Sequence, residues 1–151
     1  MTITTHRPVV RRPSAAARRF GYLVAVAITV AGWYLINVAP GWDSLPFLTP
    51  AVSDVLGLLN LSLAVSVAVN LLYVVRDPRW LKALGDLATT VIGLAVLMRV
   101  WQVFPFDFSA YTFGWAGLTR LVLVLGMLGS AIAIVVQLVT LIRLAGAHSP
   151  R

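Results

Sequence analysis

The chain has 151 residues, of which 60% are hydrophobic and only 11% are charged. Soluble domains are about 45–50% apolar and about 25% charged, so this composition excludes an ordinary soluble globular protein. The formal net charge is +7, all five acidic residues are aspartates, and Lys82 is the single lysine among twelve basic residues. Cysteine is absent, which excludes disulfides, thiolate metal sites and cysteine nucleophiles.

Four apolar runs are long enough to cross a bilayer, whose hydrocarbon core requires about 20 mostly apolar residues per helix. The runs do not alternate between apolar and polar residues, as the strands of a membrane barrel would. A spanning segment must satisfy its backbone hydrogen bonds internally, so each run is predicted to be helical. The sequence therefore predicts an all-α integral membrane four-helix bundle within residues 20–144, with spans at about 20–38, 55–75, 84–104 and 115–143.

The segments outside the spans are short. Residues 1–19 carry five arginines and no acid, lack a periodic apolar face, and are predicted to be a disordered basic cytoplasmic tail that contacts anionic lipid headgroups. The first span is longer than the apolar core of a secretory signal, so we expect it to be retained. Residues 145–151 are predicted to be a short cytoplasmic tail.

The basic residues alternate between the two sides of the predicted membrane. The tail before the first span and the segment between the second and third spans are rich in arginine, whereas the other two connections carry Asp43, Asp54 and Asp107. By the positive-inside rule, both chain termini should face the cytoplasm. The arginine-dominated, Ala-, Val- and Leu-rich composition favours a bacterial cytoplasmic membrane. The bases lie at span ends, so a membrane explains them better than nucleic acid does.

Two helix starts are signalled by capping residues. Ser53 and Asp54 follow a proline-rich connection and are predicted to cap the second helix. Asp77 followed by Pro78 is typical of an N-cap and first helical position, so the third helix is expected to extend back to Pro78 in the interface.

Arg99 is the most unusual residue in the spans. It lies twelve residues beyond Leu87, which places it roughly 12 Å below the outer boundary of the hydrocarbon. Two interpretations stay open: the side chain reaches outward to the headgroups, or it is paired and forms a functional site. In the second case it would belong to an outer polar cluster with Asn60, Gln102 and Asp107.

Small and weakly polar residues recur at helical spacing in the last three spans. This pattern is typical of close helix packing in lipid, and it is also compatible with a polar conduit or ligand cavity. The predicted packing face consists of Gly126, Ser130, Ala133 and Gln137 on the fourth helix, with Ser66, Asn70 and Gly93 on the second and third.

The sequence offers little for catalysis. It contains no recognised catalytic or nucleotide-binding motif, and we expect no enzymatic activity, cofactor or metal site. The first hypothesis is an accessory or scaffold subunit, or a regulator, that contacts a protein partner or a second copy within the bilayer. The alternative is a lipid or small-solute binder or transporter with an outer pocket around Arg99. A third hypothesis, a headgroup-modifying enzyme, would require Asp77 and Asp86 to share a cleft.

Overall fold

The computed structural model describes residues 13–146, and that part of the chain is helical without β-strands. Each of the four helices is long and apolar enough to span a membrane. This confirms the predicted all-helical, multi-pass architecture. The helices are α1 (Ala15–Asn37), α2 (Ser53–Val75), α3 (Arg79–Val103) and α4 (Trp115–Gly146), and single 3₁₀ turns lie at Trp42–Ser44 and Pro50–Val52.

The first helix begins at Ala15, so the prediction of a disordered segment is wrong for residues 15–19. The Ser14 hydroxyl accepts a hydrogen bond from the Ala17 amide at 3.2 Å, and three successive alanines favour the helical conformation. The N-cap and the alanines therefore stabilise a helix at residues 15–19, although this segment has no apolar face. Residues 1–12 of the predicted basic tail, and residues 147–151 of the predicted C-terminal tail, lie outside the described residues.

The two predicted side-chain caps are wrong. Ser53 donates its hydroxyl hydrogen to the Pro50 carbonyl, because the preceding 3₁₀ turn runs directly into α2. Pro78 itself occupies the N-cap of α3, since its backbone is extended, and Asp77 instead accepts a hydrogen bond from Arg18 at 2.6 Å. The third helix thus starts close to Pro78, ahead of the apolar run at residue 84.

The helices pack as a row in chain order. Helix α1 packs on α2, α2 on α3, and α3 on α4, and these consecutive pairs carry the extensive helix–helix contacts among the described residues. All three pairs are antiparallel, so α1 begins at the same end of the row where α4 finishes. A closed bundle would also require α1 to pack along α4, and the structure does not confirm that closure.

The row has two chemically different ends. We call the end where α1 and α3 begin the basic end, because it carries most of the described arginines and Lys82. At the opposite end, loop one (residues 38–52) packs on loop three (residues 104–114). The Thr49 amide donates to the Pro105 carbonyl at 3.1 Å, and the Asp107 amide donates to the Phe47 carbonyl at 2.9 Å. We call this the capped end.

A tight reversal after α3 directs loop three toward loop one. Phe104 has a positive φ of 42° in the left-handed region, a conformation that is uncommon for a bulky residue. Its ring packs edge-on against Phe106 at 5.4 Å, and the guanidinium of Arg120 lies 4.8 Å from the ring centroid. These two contacts hold Phe104 in its strained conformation.

Few side chains are shielded from the surroundings. Only six hydrophobic residues are buried among those described, whereas large apolar side chains such as Ile28 and Ile142 are 67% and 70% exposed. In water such a surface would drive aggregation. In a bilayer the lipid tails cover it, so the exposed faces agree with the span lengths.

Helices α2 and α3 are held together near the basic end by one buried tyrosine. Tyr73 is 3% exposed, and its hydroxyl lies 2.8 Å from the Lys82 carbonyl oxygen and 3.1 Å from Asp86 Oδ1. The close approach depends on Gly85, since a Cβ at that position would overlap the tyrosine hydroxyl. We call Tyr73, Gly85 and Asp86 the tyrosine lock.

Substituting Gly85 by alanine should therefore destabilise the protein. The added methyl group would also lie 2.7 Å from Val69 Cγ1, and overpacking of this kind costs about 1–3 kcal/mol. The loss of unfolding free energy would be measured by unfolding the purified protein in micelles with increasing concentrations of a denaturing detergent. Gly93→Ala is the matched control on α3, because its Cβ would meet no atom within 4 Å. Equal stability of the two variants would contradict the tyrosine lock.

Candidate functional site

Arg99 lies at the capped end and is exposed. Its Nε donates to the backbone carbonyl of Asp54 at 3.3 Å, a contact that joins α3 to the start of α2. No ion pair between Arg99 and an aspartate occurs among the described residues. The contact is therefore a hydrogen bond to a helix backbone, and the terminal guanidinium nitrogens make no hydrogen bond with another described residue.

Asn60 is engaged with a residue that the predicted cluster did not include. Its amide nitrogen donates to Asn37 Oδ1 at 2.8 Å, and the Asn37 amide donates back to Asn60 Oδ1 at 2.9 Å. The two amides are partly buried between α1 and α2. This reciprocal pair satisfies both side chains and leaves Asn60 little capacity to bind a ligand beside Arg99.

Gln102 and Asp107 do not join Arg99 either. Gln102 is exposed on the last turn of α3. The Asp107 carboxylate accepts a hydrogen bond from the Ser109 amide at 2.9 Å, and this bond, assisted by the Ser109 hydroxyl, holds the pKa of Asp107 below its usual value. The carboxylate thus stabilises the turn of loop three. Within the described residues, no hydrogen bond or ion pair joins any two of the four residues of the predicted outer cluster.

Two apolar cavities lie beneath the loops of the capped end. One, of about 360 Å³, is lined by loop one, the facing ends of α1 and α2, and Phe106. The other, of about 400 Å³, is lined by aromatic rings that include Phe47, Phe108 and Trp115. Neither cavity includes Arg99 in its lining. Their walls offer few polar groups, so they could accommodate hydrocarbon but supply little specificity.

The polar residues of the basic end are closely connected. Lys82 Nζ lies 2.9 Å from Asp86 Oδ2 and 5.2 Å from the centroid of the Tyr73 ring. That ring also packs on Tyr22 of α1 at 5.3 Å. The tyrosine lock therefore extends across three helices.

Asp77 and Asp86, the two acids of the enzymatic hypothesis, have different partners. Asp77 pairs with Arg18 at 2.6 Å, whereas Asp86 pairs with Lys82 and Tyr73. The Asp77–Arg18 pair joins segments that are distant in sequence, and the Asp86–Lys82 pair stabilises the start of α3. Within residues 13–146, no group of three potential metal-ligating side chains is present.

The predicted packing face of α4 does face α3. A Cβ on Gly126 would lie 3.2 Å from Leu97 Cδ1, and Gln137 Nε2 donates to the Thr90 hydroxyl at 3.1 Å. Ser130 and Ala133, which lie between them on the same helical face, are partly buried.

The other predicted packing residues make looser contacts. Asn70 donates to the Ser66 carbonyl one turn earlier in α2, at 2.8 Å, so this bond does not join two helices. A Cβ on Gly93 would meet no atom within 4 Å, so the expected close approach does not occur there.

Gln137 also contains the one buried side-chain polar atom without a hydrogen-bond partner in the described part of the chain, its Oε1. The residue lines a groove of about 400 Å³ between α3 and α4 at the basic end. Buried amide oxygens are normally paired. We call this cavity the α3–α4 groove; it is the polar cavity that sequence patterns did not predict.

Asn37 and Tyr73 are the residues whose importance the sequence pattern missed. Each is a polar group near the end of a span, where the pattern indicates only an ordinary interfacial residue. Their partners Asn60 and Asp86 lie 23 and 13 residues away on a neighbouring helix, so a local pattern carries no signal for them. No protein-family model, curated protein or solved structure matches this chain.

The asparagine pair should stabilise the contact between α1 and α2. Asn60→Leu should lower the free energy of unfolding in micelles, because Asn37 Oδ1 then loses its hydrogen-bond donor between the helices. The interaction energy in the cycle of Asn37→Leu, Asn60→Leu and the double variant should be about 0.6–1.7 kcal/mol, the range for hydrogen bonds between membrane helices. Strictly additive effects of the two substitutions would show that the pair contributes nothing.

Proposed function

We propose that this protein is a non-enzymatic accessory or scaffold subunit that acts through helix–helix contacts within the membrane. The observation that carries the proposal is the open row. Helix α4 has 32 residues and uses the face of Gly126 and Gln137 to pack on α3. Its opposite face, with Leu128 at 56% and Val135 at 60% exposure, is available to a transmembrane helix of another subunit.

The polar residues inside the chain support a structural role. Each consecutive pair of helices has its own polar contact: Asn37–Asn60 between α1 and α2, the tyrosine lock between α2 and α3, and Thr90–Gln137 between α3 and α4. These contacts fix the order of the row. A scaffold requires such fixed geometry, because it presents a defined face to its partner.

Binding or transport of a lipid or small solute around Arg99 is the alternative function. It has less support, because Asn60 and Asp107 are bonded to other residues. The exposed guanidinium of Arg99 is the observation in its favour, since it can contact a headgroup phosphate at the capped end.

The proposal includes an orientation in a bacterial cytoplasmic membrane, with both termini in the cytoplasm. The described arginines at the basic end are Arg18, Arg19, Arg76, Arg79 and Arg143, whereas the capped end has Asp43, Asp54 and Asp107 with two arginines. This asymmetry favours a cytoplasmic basic end.

A photo-cross-linking residue at Val135 tests the scaffold function. In native membranes it should form an adduct with a discrete protein, either another subunit or a second copy, because this position faces away from α3. The control is the same label at Ala133, on the α3-facing side, which should react within the chain. If the Val135 label yields only lipid adducts and the protein is extracted as a monomer in mild detergent, the scaffold function is wrong.

The orientation is tested with reporter fusions in a bacterial host. Alkaline phosphatase, which is active only outside the cytoplasm, should be active when fused within loop three and inactive when fused after Gly146. A cytoplasmic fluorescent reporter should give the opposite pattern. Activity of the phosphatase after Gly146 would overturn the proposed orientation without affecting the helix contacts.

A further inference from the structure

The α3–α4 groove lies where the two helices leave the hydrocarbon. Helix α3 has 25 residues and α4 has 32, which corresponds to about 37 and 48 Å at 1.5 Å per residue. Both lengths exceed the roughly 30 Å of the hydrocarbon core. The first turns of α3 and the last turns of α4 therefore extend into the headgroup layer, and the groove opens between them at the basic end.

The groove combines polar groups of several kinds on two facing walls. Helix α3 contributes charged side chains on successive turns, and α4 contributes an amide and a hydroxyl. The groups that matter here are Arg79, Lys82, Asp86, Gln137 and Thr140. A cavity of about 400 Å³ falls in the range that binds small molecules, and it is large enough for a glycerophosphate headgroup.

The charges of the groove do not cancel. Lys82 and Asp86 form an ion pair at 2.9 Å, so their charges largely offset one another. Arg79 is exposed and has no hydrogen bond or ion pair with another residue in the described range. The groove therefore has one uncompensated positive charge, which matches the single negative charge of a phosphodiester.

We infer that the α3–α4 groove binds the headgroup of an anionic glycerophospholipid. The phosphodiester contacts Arg79 and Lys82 at the mouth of the groove. The headgroup hydroxyls donate to the Asp86 carboxylate, which has acceptor capacity beyond its ion pair. The Gln137 amide oxygen, which is buried without a partner, becomes a further acceptor when that side chain changes rotamer.

The position of the groove favours a lipid over a free anion. The groove opens beside exposed apolar side chains of α4, such as Val136 at 59% and Ile132 at 66% exposure, which lie four and eight residues before Thr140. Acyl chains that continue from the headgroup into the bilayer would cover these side chains. A free phosphate would gain only the polar contacts.

Native mass spectrometry of the purified full chain in detergent tests the inference. The protein is mixed with equal amounts of phosphatidylglycerol and phosphatidylcholine of identical acyl chains, and retained lipid is counted. Phosphatidylglycerol should be retained preferentially, because the quaternary ammonium of phosphatidylcholine leaves it without net charge. Arg79→Gln should lower retention of phosphatidylglycerol about fivefold, the effect of removing one interfacial base.

Arg19→Gln is the matched control. Arg19 is an exposed arginine at the same end of the row, but it lies on α1, which is separated from the groove by α2 and α3. This control removes the same net charge and should leave retention unchanged. Because Arg79 has no partner among the described residues, its substitution should not affect the fold, and the unfolding midpoint in micelles would verify this.

Three outcomes would overturn the inference. One is equal retention of the two lipids, and another is an equal effect of Arg79→Gln and Arg19→Gln, which would indicate nonspecific attraction of anionic lipid. The third is displacement of phosphatidylglycerol by millimolar inorganic phosphate, with the phosphate bound as tightly as the lipid. This result would identify a free-phosphate site. Selective loss in Arg79→Gln alone supports the lipid site, and it does so whether or not α4 contacts a protein partner.

Discussion

The polar side chains within the spans depend on one another, because lipid tails offer no hydrogen bonds. Asn37 and Asn60 illustrate this constraint: each amide is both donor and acceptor to the other, between α1 and α2. The tyrosine lock pairs polar groups of α2 and α3 in the same way, and the Thr90–Gln137 hydrogen bond pairs those of α3 and α4. Each pairing thus joins two helices that are consecutive in the chain.

The sequence was sufficient to predict the helices but not the partners of their polar residues. Hydropathy and length identify the spans because a bilayer sets both, and helical spacing identified the face of α4 around Gly126. Arg99 and Asn60 were expected to share an outer polar cluster because both lie in the outer part of their spans, yet position along a helix does not specify rotation about its axis. Asp77 was expected to cap a helix, and it binds Arg18 because α1 extends further than its apolar run.

The two ends of the row contribute differently to the proposals. At the capped end, aromatic rings stack on one another and line cavities with largely apolar walls, and Arg99 and Asp107 bond to backbone groups. At the basic end, charged groups line an open groove and one buried acceptor is left without a partner. The chemistry capable of selecting a ligand is therefore concentrated at the basic end, whereas the exposed sides of α4 provide area without polar specificity.

The backbone bonds between loop one and loop three have a consequence for how the protein is assembled. Loop one joins α1 to α2, and its Phe47 carbonyl and Thr49 amide are paired with the Asp107 amide and the Pro105 carbonyl of loop three. During synthesis, the first helical hairpin enters the bilayer before residues 104–114 exist. Until the third helix has crossed, the Phe47 carbonyl and the Thr49 amide lack their partners in loop three, and the Phe47 ring lacks its stacking contact with Phe108. The interval between these two events is the stage at which a truncated chain would be most exposed to degradation.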